Sequence, residues 1–101
     1  MDSKHPDDLT AVAALEVVRR IAQDSSRVIL VSHAKARQRM RQVTRKQIEV
    51  CLQKGVIDEG PFLNSHGNWQ VTMRRNVAGD SVVCVVAFDW PDKIIVITVS
   101  R

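Results

Sequence analysis

Hydrophobic spacing along this chain changes from a helical period to a strand period near its middle. Ala11, Leu15, Val18 and Ala22 recur at i, i+4, i+7 and i+11, which predicts an amphipathic helix. Asp7 or Asp8, just after Pro6, is the expected cap, and the helix should end at about Ala22 or Gln23. Thr10, Glu16, Arg19, Arg20 and Gln23 fill its polar side, with Glu16 and Arg20 spaced as an i, i+4 ion pair. Val28-Ile29-Leu30-Val31 is β-branched and too short for a helix, so it reads as a strand. Ser32 is the expected cap of a second helix, from His33 to about Gln42, with Ala36, Met40 and Val43 on its core side. Thr44 and Gln47 have capping-box spacing and open a third helix, buried through Ile48, Cys51 and Leu52. Gly55 is expected to close it in the left-handed conformation.

From residue 56 the period is two. Trp69, Val71 and Met73 alternate with Gln70, Thr72 and Arg74, the pattern of a strand covered on one side. Asn76 to Asp80 should reverse the chain into Val82–Phe88, which is apolar on both faces and predicts a central strand. Asp89-Trp90-Pro91-Asp92 has the residues of a tight turn, and Ile94 to Val99 returns as another buried strand. Val56 to Leu63 is a further strand weakened by Gly60-Pro61. Helices first and strands afterwards predict an α+β domain, its helices packed on one face of an antiparallel sheet.

Composition narrows the class. With 101 residues, 45% hydrophobic and 26% charged, the chain suits one folded domain and neither a disordered nor a collagen-like polymer. The longest apolar run, Val82–Phe88, is far below the ~18 residues of a membrane span. The polar, acidic start lacks the layout of a secretory signal, so the expected location is the cytoplasm, with no membrane partner. Cys51 and Cys84 sit inside apolar patterns and read as small hydrophobes in a reducing compartment. His5, His33 and His66 lack a second ligand at metal spacing, and no phosphate loop or nucleophile elbow is present, so neither metal nor cofactor is expected.

Charge changes the picture more. Between Arg27 and Lys46 the chain has seven cations and no acid, while its net charge is only +4, so the remainder is net acidic. Such a segment suits a polyanion, most often nucleic acid, although a solvated basic helix has the same composition. His33, Arg37 and Arg41 follow at i, i+4 and i+8 on one helix face. Cleaving RNA without a metal needs a base for the 2′-hydroxyl, an acid for the leaving 5′-oxygen and cations for the phosphorane. Imidazole can act as either acid or base, and arginine can grip two phosphate oxygens, so these three are the candidate catalytic set. Thr98, a hydroxyl within Ile-Ile-Val-Ile-Thr-Val, either marks the end of burial in a good strand-forming run or, facing inward, is the candidate for orienting the phosphate or the histidine. Lys35, Arg39, Arg45 and Lys46 are candidate phosphate contacts, and Arg74 extends the basic surface from the sheet. Trp69 either stacks on a base or, alternating with Val and Met, belongs to the core.

The stretch from Val31 to Ile48, with Leu52-Gln-Lys-Gly, Gly67-Asn-Trp and Val96-Ile-Thr-Val, resembles a small bacterial domain family of unknown function. The resemblance spans residues 28 to 99 and leaves the first helix outside, as an N-terminal extension over 1–26. That family looks like a distant relative of the RelE/ParE, BrnT and motility-quorum-sensing-regulator toxins. The likeness implies helices on a curved antiparallel sheet, as in the RelE-like toxin fold. It further implies a metal-independent endoribonuclease of a type II toxin–antitoxin pair, acting on free or ribosome-bound mRNA and neutralised by a cognate antitoxin. His33 and Arg37 match its most recognisable positions, followed by Arg41, Arg45 and Thr98. The chain departs from RelE-type nucleases in having no tyrosine. The alternative is a non-catalytic regulatory module that binds nucleic acid or protein through the same basic helix. A third reading is a regulatory subunit that docks through an apolar sheet face.

Overall fold

Leu9 tucks into the core and Thr10 turns the chain into its first helix, α1, Ala11–Ile21, in a computed structural model that describes residues 8–101. Thr10 Oγ1 accepts the Ala13 N–H at 3.1 Å. The helix therefore starts later than expected: Asp8 precedes the cap, and Asp7 lies outside the described residues. Its buried row is Ala14, Val18 and Ile21, with Ala22 buried just after it: Val18 and Ala22 of the expected stripe are in the core, Leu15 is half-buried and Ala11 exposed, so the helix is turned toward Ile21. Turning that way buries Ile21, which offers far more apolar area than Ala11. The same rotation half-buries Arg19, whose Nη2 donates to the Gly55 carbonyl at 3.0 Å.

A short 3₁₀ turn, Ser25–Arg27, leads into β1, Val28–Leu30, and then into α2, Ser32–Arg41. Ser32 is the first helical residue rather than the cap; Val31 holds that position with no side-chain hydrogen bond. Only Ala34 of α2 is buried, and Met40, expected in the core, is 69% exposed. Ala34 has so small a side chain that the helix backbone comes close to β1 and to β5, Lys93–Ser100, which leaves Met40 on the outside. Gln42 ends α2 in the left-handed region, φ 55°, with the Val43 N–H bonded to the Gln38 carbonyl at 3.0 Å and Val43 itself buried. This is a Schellman closure, usually made by glycine. A Gln42→Gly variant is expected to gain about 0.5–1 kcal/mol, because the strain removed outweighs the entropy added to the unfolded chain. Thermal unfolding checks it, as a midpoint rise of about 2–8 °C.

The capping box forms as expected at α3, Arg45–Lys54: the Gln47 N–H donates to Thr44 Oγ1 at 3.0 Å, and the Thr44 N–H to Gln47 Oε1 at 2.8 Å. Ile48, Cys51 and Leu52 are buried, also as expected. Gly55 does not turn left-handed; it is extended, at φ −76° and ψ −174°. It is a glycine for space, since a Cβ there would meet the Cys51 carbonyl oxygen and lie 2.6 Å from that of Arg74.

The remaining strands are β2, Val56–Leu63; β3, Trp69–Val77; and β4, Asp80–Asp89. With β1 and β5 they form one five-stranded sheet in the order β1-β5-β4-β3-β2. The sheet is mixed, not purely antiparallel, because β1 pairs parallel with β5 while the other neighbours run antiparallel. β4 is central, as its two apolar faces predict. The β3–β4 reversal is tighter than the expected five-residue loop: Val77 pairs with Asp80 across Ala78 and Gly79, both at positive φ.

Trp69, Val71, Met73, Cys84, Val86, Phe88, Ile94, Val96 and Val99 line one sheet face and share a single buried cluster with Ala14, Val18, Ile21, Ala34, Ile48 and Leu52 of the three helices. The fold is thus α+β with an open sheet, and α1 is part of the core rather than an appendage. Gln70, Thr72, Val85 and Ala87 fall on the opposite face by strand alternation and register. Cys51 and Cys84 are both free and buried.

Candidate functional site

Because α2 reads Ser-His-Ala-Lys-Ala-Arg-Gln-Arg-Met-Arg, its cations come at every second residue and alternate between two flanks. Lys35 and Arg39 share one flank, and Arg37 and Arg41 follow His33 along the other. His33, Lys35, Arg39 and Arg41 are exposed, whereas Arg37 is half-buried.

The described residues make four side-chain ion pairs: Arg27–Asp24, Arg45–Glu49, Arg74–Asp58 and Arg101–Asp80. The expected Glu16–Arg20 pair is not among them. Of the seven cations between Arg27 and Lys46, five have no carboxylate partner among the described residues: Lys35, Arg37, Arg39, Arg41 and Lys46. Arg37 goes further. Its Nε is buried and has no hydrogen-bond acceptor. A buried donor left unpaired costs about 1–3 kcal/mol, and native structures keep few of them; among the described residues the Arg19 Nε of α1 is in the same state.

Arg45 is used differently from its neighbours. Its Nη2 donates to the carbonyls of Ser25 at 2.8 Å and Val28 at 2.7 Å, while Nε donates to Glu49 at 2.9 Å. It ties the start of α3 to the entry of β1. Ser25 and Arg45 together hold the Glu49 carboxyl below its ordinary value by donating to it.

Thr98 is set by a bulge in β5. Val86 pairs with Val96 and Val85 with Thr98, so Ile97 is the extra residue and the alternation flips beyond it. Val99 thereby enters the core, and Thr98 joins Val85 and Thr72 on the opposite face. The hydroxyl expected to face inward is outside the core layer that holds Ala34 of α2. The structure thus groups His33, Arg37 and Arg41 on α2 and places Thr98 apart from them, on the other sheet face. Trp69 is 8% exposed in the core row of β3, the packing alternative of its two readings. Arg74 lies on the opposite face with its Nη2 on Asp58 at 2.9 Å. Arg101, which sequence reasoning passed over, donates from Nη1 to Asp80 and from Nη2 to the Gln42 carbonyl, both at 2.9 Å. Only the tertiary structure brings those partners together.

Among the described residues no cluster of His, Cys, Asp and Glu is arranged to hold a metal ion, and no helix is long and apolar enough to cross a membrane.

These elements define a small α+β protein in which a cationic helix follows an edge strand of an open mixed sheet. Residues 30–101 match the family described as a domain of unknown function (DUF4258), and the chain belongs to that family. The match begins in β1 and takes in everything after it, leaving α1 outside. No curated protein and no solved structure matches the chain.

Proposed function

We propose that the protein is a toxin-type endoribonuclease that cleaves single-stranded RNA without a metal and is held in check by a cognate antitoxin. The observation that carries the RNA reading is Arg37: a half-buried guanidinium whose Nε has no acceptor among the described residues, on a helix whose other cations have no carboxylate partner among them either. Arg37 and Arg41 hold the scissile phosphate. His33, one turn before Arg37 on the same flank, takes the 2′-hydroxyl proton. The 2′-oxygen bonds to phosphorus as the P–O5′ bond breaks, and solvent protonates the departing 5′-oxygen, leaving a 2′,3′-cyclic phosphate. The toxin–antitoxin setting rests on the resemblance of Val31 to Ile48 to a family of unknown function that itself looks like a distant relative of the RelE/ParE, BrnT and motility-quorum-sensing-regulator toxins.

A second reading, binding without cleavage, is favoured by the position of Thr98. With that hydroxyl on the other sheet face, His33 stands on this flank of α2 with two arginines and without the group expected to orient it.

Both readings require phosphate contacts, and salt dependence tests that requirement. The logarithm of affinity for a single-stranded RNA is expected to fall linearly with the logarithm of salt concentration, with a slope of about −2 to −3.5 for three to five phosphates contacted. Arg37→Ala should make the slope shallower by about 0.7, and fluorescence anisotropy over a salt series measures both values. A slope near zero would overturn both readings.

A further inference from the structure

A cavity of about 290 Å³ opens between α3 and the β3–β4 hairpin. Its walls are Val50 of α3 with Val77 and Val82 of the hairpin. Arg75, Val77 and Val82 reach it because they continue the core-facing rows of Trp69-Val71-Met73 and of Cys84-Val86; Val82 still belongs to the buried cluster, and Arg75 and Val77 lie beyond it. Lys46 and Arg75 stand at this apolar trough, and neither is ion-paired among the described residues. Asp80 is the one lining acid, and Arg101 neutralises it. Gln47 supplies the polar group. Its Oε1 already accepts the Thr44 N–H, so what it offers the cavity is its amide NH₂, a donor.

The cavity also adjoins the basic helix. The Arg101 guanidinium touches both the carbonyl of Gln42, where α2 ends, and Asp80 on the cavity wall, so a single side chain spans the gap. We propose that this trough is a nucleotide subsite, in which one unstacked base of the strand lying along α2 packs between the valines. Gln47 donates to an acceptor on the base edge, and Lys46 and Arg75 meet the flanking phosphate. Its size sits at the small end of ligand pockets, as a single base requires, and apolar walls with one donor and two cations fit a nucleotide better than a bare anion. The proposal rests on the α2 reading for the path of the strand and adds a base-selecting site to it.

Gln47→Glu is the decisive variant. Glutamate at this position keeps the capping box, so the fold survives, but it replaces the donor with a negative charge. The four ribonucleoside 5′-monophosphates and inorganic phosphate are titrated separately into the isotope-labelled full chain, following backbone amides by NMR. Anisotropy with a mixed-sequence single-stranded RNA at low salt runs alongside, including Val50→Trp to fill the trough. At least one nucleotide should shift the amides of Gln47, Val50 and Val82, inorganic phosphate should not, and Gln47→Glu should abolish the shifts and weaken RNA binding about ten-fold. Equal shifts with inorganic phosphate would overturn the base site. So would RNA binding that Gln47→Glu leaves intact while Arg37→Ala weakens it, and in that case the α2 reading stands. Absence of RNA binding by the unaltered protein overturns both.

Discussion

His33→Ala is expected to lower RNA cleavage by about 10²–10⁴-fold, the usual contribution of a positioned general acid or base. Stability should move by no more than about 0.5 kcal/mol, because His33 is exposed in the first turn of α2 and the cap preceding it is the backbone of Val31. The measurement is cleavage of a defined single-stranded RNA by the partner-free protein in excess chelator, with a thermal melt of each variant. Cleavage by the unaltered protein alone puts His33 in the mechanism and accounts for any contaminating nuclease. Undiminished cleavage by the variant removes it. If neither cleaves but both bind RNA in a salt-sensitive way, the non-catalytic reading gains, and the next substrate is mRNA on the ribosome.

Gly55→Ala should cost about 3 kcal/mol, the upper end of what overpacking produces. The reason is the identity of the neighbours. A methyl group at Gly55 meets backbone carbonyl oxygens of Cys51 and Arg74, one belonging to the last turn of α3 and the other to β3, and neither can rotate aside as a side chain can. Relief would require moving the helix end off the strand, and the Gly55 carbonyl is itself held by Arg19 from α1. A domain of this size has only about 5–15 kcal/mol in total, so urea unfolding should show a much lower midpoint with an unchanged slope. A change under 1 kcal/mol would mean that the junction relaxes freely and that the close approach has no structural weight.

Much of the architecture was legible because it depends on local chemistry. The alternation at Trp69-Val71-Met73, the doubly apolar Val82–Phe88 and the Thr44–Gln47 capping box each express a preference within a few residues, and the structure bears all three out. The rotation of α2 was not legible. Ala34, Ala36 and Met40 are all apolar, and which of them faces the core depends on how near the helix lies to β5. The site divides the same way. The charge of α2 is written in its residues, but the carboxylates that use Arg27, Arg45 and Arg74 come partly from other elements, and the acceptor-free setting of the Arg37 Nε is a property of packing.

By itself, then, the sequence determined the helix and strand order, the central strand and the cationic helix, since periodicity, capping and charge act over one or two turns of chain. Tertiary structure alone decided the parallel docking of β1 on β5, the flip of Thr98 to the open face, the extended Gly55 and the Arg101 bridge to the cavity. Each of these joins or balances residues distant in sequence, and the free energy that selects them exists only once the sheet has brought them into contact.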